Sequence, residues 1–143
     1  MNKVKVKIKK IHPEAKIPIY ATEGSAAFDL YSIEERIILP GETAKIPTGI
    51  CLEIEQGYCW QFWDRSGLAA KGIFKRGGLV DSDYRGEFFV ILQNSTAEEY
   101  KIEKGDRIAQ VIIVPIMQAQ FEEVSELSET KRGTSGFHST GKK

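Results

Sequence analysis

The chain has 143 residues, 41% of them hydrophobic, with 13 glycines; this is the size and make-up of one globular domain of roughly 100 to 150 residues, which excludes disorder throughout and leaves no room for a second catalytic domain, so any deep site is small or shared between subunits. Twenty basic and twenty acidic residues cancel, so no global field holds a nucleic acid backbone. The longest apolar run, Val111 to Met117, is broken by Pro115 and falls short of the ~20 residues that cross a bilayer, and the start MNKVKVKIKK lacks the apolar stretch of a signal peptide; the expectation is a cytoplasmic protein with neither nucleic acid nor membrane as partner.

Along the chain, Val4, Val6 and Ile8 alternate with Lys3, Lys5, Lys7 and Lys9, the period of two of a strand with one wet, lysine-guarded face. Strand-like pieces follow at Ile37 to Leu39, Ala44 to Pro47, Ile50 to Ile54, Tyr58 to Phe62, Glu87 to Gln93, Arg107 to Pro115 and Gln120 to Val124, separated by Pro-Gly, Thr-Gly, Gln-Gly and Lys-Gly-Asp turns. Short strands at this spacing predict an all-β, antiparallel sandwich or distorted, jelly-roll-like barrel. One brief helix is expected over Gly67 to Lys71. Cys51 and Cys59 have no CxxC spacing and read as buried free thiols. Residues 1–124 form the expected core. The last nineteen residues, SELSETKRGTSGFHSTGKK, hold only Leu127 and Phe137 as large apolar groups, and residues 125–143 are expected to be a flexible arm.

Four segments carry chemistry. In WDRSGLAAKG, Arg65 and Ser66 precede Gly67 at a strand-to-helix turn, where backbone N–H groups, a guanidinium fork and a hydroxyl suit a phosphate, or where the same letters merely cap a turn. In GLVDSDYRGEFFV, from Gly78, Asp81 can serve as general base to a water and Tyr84 offers a flat face for a sugar or base, though a hairpin turn explains the letters equally. Within GDRIAQVII, Gln110 is polar among apolar neighbours and either finds partners in the interior or faces outward. RGTSGFHSTG, from Arg132, joins an arginine, a glycine-rich loop with hydroxyls and an aromatic ring, the chemistry of a polyphosphate carrying a base, or else a frayed terminus.

Taken with SAAFDLYS at Ser25 to Ser32, these segments resemble the five motifs of the homotrimeric deoxyuridine triphosphatase (dUTP pyrophosphatase) family, in order and with similar spacing from Ser25 to Gly141. The resemblance implies hydrolysis of dUTP to dUMP and pyrophosphate, with Asp81 deprotonating the water that attacks the α-phosphorus. It implies that Gly78, Leu79 and Val80 pair with uracil through their backbone, that Tyr84 packs on deoxyribose where a 2′-hydroxyl would clash, and that Phe137 stacks on the base. Arg65, Ser66, Gly67 and Gln110 would hold the phosphate chain, with Arg132, Ser139 and Thr140 on the γ-phosphate. Mg²⁺ is implied on the triphosphate with no direct protein ligand, Asp29 ordering one of its waters, and each site is implied to be assembled from three subunits. The related dCTP deaminases ask for a catalytic glutamate with no place here, and a nucleotide-gated protein-binding module stands as an alternative outside catalysis. Where the family pattern has glycines, this chain carries Ser135 and His138, two positions open to φ > 0, and Asp64 stands beside Arg65 in position to neutralise it in part.

Overall fold

The computed structural model describes residues 3–137. The strands are β1 (Lys7–Lys10), β2 (Phe28–Tyr31), β3 (Arg36–Ile38), β4 (Thr43–Glu53), β5 (Tyr58–Trp63), β6 (Ile73–Arg76), β7 (Leu79–Asp81), β8 (Glu87–Asn94), β9 (Tyr100–Ile102) and β10 (Arg107–Pro115), with one helical turn, α1 (Ser66–Ala69), after β5. Two four-stranded antiparallel sheets, in the orders β1-β4-β8-β6 and β2-β10-β5-β7, form the sandwich, and β3 pairs with β9 beside them. No helix among the described residues is long and apolar enough to cross a membrane.

Alternation sets which face each strand buries. In β8, Phe88, Val90 and Leu92 point inward, and in β4, Ala44 and Ile46 meet them from the neighbouring strand. The other sheet contributes Leu30, Trp60, Phe62 and Val111 to the same core. Trp60 is fully buried and stands edge-on to Phe28 and Phe88, bridging the two sheets. Each such side chain contributes about 1.5–3 kcal/mol by leaving water. Val4, Val6 and Ile8 pack against this core while the lysines between them face solvent, as the alternation predicts.

Four expectations are corrected. The pieces predicted at Ala44 to Pro47 and Ile50 to Ile54 are one strand, because Thr48–Gly49 marks a register shift against β8 rather than a turn. Gly49 has φ 71°, and a Cβ there would lie 2.9 Å from both Ala15 and His12. Gln120 to Val124 forms no strand: every residue from 115 to 137 is exposed, Phe121 at 93%, and the segment pairs with no strand of the described residues. Of the two thiols, Cys59 is buried but Cys51 only half-buried. The helical turn begins at Ser66 and ends at Ala69, short of Lys71.

Candidate active site

The β6–β7 connection builds one half of the site. Gly77 and Gly78, at φ 62° and 104°, carry the chain from the edge of one sheet to the edge of the other. Only glycine fits at Gly78, since the Phe62 N–H donates to its carbonyl at 2.8 Å and an added Cβ would lie 2.6 Å from the Phe62 Cβ. β7 then pairs with β5 through Leu79↔Gln61, Val80↔Trp60 and Asp81↔Cys59. As an edge strand it keeps one row of backbone N–H and C=O groups free for a ligand.

After Asp81 the chain turns tightly, with the Tyr84 N–H reaching the Asp81 carbonyl at 3.3 Å. Arg85 braces this turn, its Nη1 donating to the Ser82 carbonyl at 2.6 Å and to the Tyr84 carbonyl at 3.1 Å. Its Nε lies 3.8 Å from Glu53, which also pairs with Lys7 at 2.6 Å. Lys7 first, and Arg85 after it, hold the Glu53 carboxyl below the usual carboxylate range. The Tyr84 hydroxyl donates to the Glu87 carbonyl at 3.0 Å, and its ring tilts over buried Phe88. A cleft of about 300 Å³ results, lined by Phe62, Leu79, Val80, Asp81, Tyr84 and Phe88, with Lys45, Glu87 and Phe89 at its margin. Asp81 also walls a second, larger cleft of about 750 Å³ with Ser82, Asp83 and Arg85, so its exposed carboxylate is reached from two sides.

The phosphate-binding candidates gather elsewhere. Arg65 stands at the N-cap of α1, so the N–H groups of Ser66 and Gly67 precede the first intrahelical bonds. Its Nε lies 3.0 Å from Asp29 Oδ1, while Arg107 Nη1 lies 3.6 Å from Asp29 Oδ2. The Asp29 side chain, 17% exposed, is thus held between two guanidinium groups. Gln110 is half-buried opposite Asp29 and Trp63, and its Nε2 donates to the Asp64 carbonyl at 2.8 Å, so it is neither buried without partners nor simply outward-facing. The expectation that Asp64 neutralises Arg65 is corrected: Asp64 Oδ1 accepts the Lys75 N–H at 2.5 Å and ties β6 to the end of β5, and the carboxylate on Arg65 is Asp29.

The two halves are far apart within one chain. Asp81 is registered with Cys59 at one end of β5 and Gln110 with Trp63 at the other. Four residues of strand put them about 13 Å apart. The C-terminal candidates belong to neither half: Arg132 is exposed and donates to the Ser135 carbonyl at 2.9 Å, and Phe137 is exposed, touching no core residue. Backbone at positive φ falls at Gly133 (55°) and Phe137 (45°), not at Ser135 as the glycine pattern suggested. His138, Ser139 and Thr140 lie outside the described residues.

Sequence reasoning named neither Phe62 and Phe88, which floor the cleft, nor Arg107, the second partner of Asp29. Their letters were visible, but only pairing across strands reveals their neighbours. Among the described residues, no three His, Cys, Asp or Glu side chains gather into a metal cage.

The dUTPase family model matches residues 13–141. The deoxyuridine 5′-triphosphate nucleotidohydrolase of Nautilia profundicola is 52% identical over 142 residues, 97% of this chain and all of the relative. Its counterpart in Helicobacter pylori (strain Shi470) is 48% identical over 96% of this chain and 97% of its own. Among solved structures, the Staphylococcus bacteriophage 80alpha dUTPase with dUpNHpp superposes with a TM-score of 0.90 at 28% identity, covering 96% of this chain and 98% of the phage protein. The fold is also that of the phage phi11 dUTPase, at TM-score 0.83 and 23% identity over 87% of this chain and 99% of that one, a structure described as revealing the coordination of a structural Mg(II) ion.

Proposed function

The chain belongs to the dUTPase family, and on that premise we propose that it hydrolyses dUTP to dUMP and pyrophosphate with Asp81 as general base, in sites shared between the subunits of a homotrimer. The observation that carries this reading is the cleft where the free edge of β7, the Asp81 carboxylate and the Tyr84 ring meet over Phe62 and Phe88. Backbone groups around Gly78, Leu79 and Val80 pair with uracil, and the edge strand leaves no space for a methyl at its C5. Tyr84 packs on the deoxyribose. Asp81 takes a proton from a water whose oxygen attacks the α-phosphorus; the bond to the bridging oxygen breaks and pyrophosphate departs. General-base assistance of this kind contributes about 10²- to 10⁴-fold.

Arg65, the N–H groups of Ser66 and Gly67, and Gln110 hold phosphate oxygens, but they belong to the opposite end of β5 from Asp81. Pairing the Asp81 half of one subunit with the Arg65 half of its neighbour removes the 13 Å mismatch, estimated as about four strand residues. The arm of residues 125–143 closes the site, with Arg132, Ser139 and Thr140 on the γ-phosphate and Phe137 on the base. The donor set fits Mg²⁺: an ion that keeps several waters and takes its other ligands from substrate phosphates needs few protein carboxylates, and Asp29 stands beside Arg65 to hold one of those waters. When bound, Mg²⁺ neutralises charge on the phosphate oxygens. The nucleotide-hydrolysing chemistry of the site supports reading the protein as cytoplasmic.

The test is pyrophosphate release from dUTP by the purified chain, set against dTTP, UTP and dCTP. Release from dUTP alone is expected. Equal kcat/KM on dCTP would contradict the uracil-pairing edge.

A further inference from the structure

Gly86 follows the Asp81–Tyr84 turn and precedes β8, yet its backbone asks for no glycine. Its φ lies outside the left-handed region, in contrast to eight other glycines of the described chain. The nearest obstacle to a side chain is one neighbour. A Cβ on Gly86 would come within 2.5 Å of Tyr84 Cζ and 2.9 Å of Cε2, and into overlap with the Tyr84 hydroxyl oxygen. The three nearest atoms all belong to that ring.

The Tyr84 ring is held in this position by its hydrogen bond to the Glu87 carbonyl at 3.0 Å and by its tilted packing on Phe88, with ring centres 6.3 Å apart. It is 42% exposed, so part of it faces solvent. A methyl at Gly86 therefore meets the far end of a part-exposed side chain, which must shift, and the ring leaves its hydrogen bond. The cleft loses one side, the side read above as the deoxyribose wall.

We propose that Gly86 is a specificity-determining positioning residue: the missing side chain is the berth in which the Tyr84 ring lies, and through that ring Gly86 sets discrimination against a 2′-hydroxyl. The inference rests on the reading of Tyr84 as the sugar wall. Gly86 touches no substrate itself. Its effect is wholly transmitted, so it vanishes when the ring is absent.

A double-mutant cycle tests this, with kcat/KM measured on dUTP and on UTP for the full chain, G86A, Y84A and Y84A/G86A, beside their melting temperatures. Y84A is expected to lower the dUTP-to-UTP ratio by about tenfold or more, and G86A by a comparable factor. In the Y84A background, adding G86A is expected to change the ratio by less than about twofold, because the nearest atoms that exclude the methyl are then gone. Should G86A alone fold poorly, the same argument requires Y84A/G86A to melt like Y84A. A normal ratio in Y84A overturns the sugar-wall reading and this inference with it. A reduced ratio in Y84A beside an unchanged one in G86A overturns the inference alone. A G86A effect that persists undiminished without the ring, or a double variant that fails to fold where Y84A folds, shows the methyl acting elsewhere and likewise overturns it.

Discussion

Arg65 and Asp29 form an ion pair, Nε to Oδ1 at 3.0 Å, while the second Asp29 oxygen faces Arg107 at 3.6 Å. A phosphate that draws Arg65 away therefore leaves Asp29 with Arg107 as counter-charge rather than unpaired in a site where its side chain is 17% exposed. Asp29→Asn keeps the shape but removes the charge proposed to order a metal-bound water. The Mg²⁺ concentration for half-maximal activity should rise several-fold, read by titration at saturating dUTP. An unchanged titration removes Asp29 from the metal's surroundings.

Asp81→Asn is nearly isosteric and cannot accept the proton. Turnover should fall by at least about a hundredfold while nucleotide affinity, measured calorimetrically, stays within about threefold. Loss of binding in parallel with turnover would make Asp81 a binding group instead of the base.

Truncation before Arg132 removes residues that bury nothing in the described core, where every position from 115 to 137 is exposed. The melting temperature of the ligand-free protein should barely move, while kcat/KM on dUTP collapses because the site no longer excludes water. Phe137→Ala should be milder, raising the barrier by about 1 to 3 kcal/mol if the ring stacks on uracil. A truncated chain hydrolysing dUTP at full rate would leave the arm no part in the site.

Glu42 predicts how stability responds to acid. It accepts the Leu39 N–H at 2.8 Å and an Arg36 Nη2 hydrogen bond at 2.7 Å. The backbone bond first, and Arg36 second, lower its pKa from the ordinary 4.5. A depressed folded pKa contributes stability that is present above the unfolded value and is lost as pH falls through the folded one. Glu42→Gln should therefore melt below the parent at neutral pH, and the two curves should converge in acid. Parallel curves across the acid range would deny Glu42 this contribution.

The sandwich was legible because alternation survives in strands as long as β8 and β10, and the Lys-Val repeat marks its wet face openly. β2, β6, β7 and β9 are only three or four residues long, too short for a period of two to stand out. β7 is among these, so its letters fit a hairpin turn as well as a strand end carrying Asp81. Asp81 and Tyr84, singled out in one motif, line one cleft with Leu79 and Val80, while the ion pair of Arg65 with Asp29 was not legible in the letters. The floor of Phe62 and Phe88, the Asp64 bond to Lys75 and the role of Arg107 depend on which strands neighbour one another, which spacing along the chain does not encode. The exposed stretch around Phe121 misled for a related reason: its strand-like letters pair with no strand among the described residues.

The central claim is that Asp81 of one subunit works with Arg65 of another, and subunit mixing tests it most directly. Asp81→Asn and Arg65→Ala chains, each nearly inactive, are unfolded together in equal amounts and refolded. If sites are shared, those taking Asp81 from an Arg65→Ala chain and Arg65 from an Asp81→Asn chain are intact, and about a quarter of wild-type dUTP hydrolysis returns. A refolded mixture no more active than the two variants refolded separately and then combined would place both residues in the site of a single chain and contradict the account.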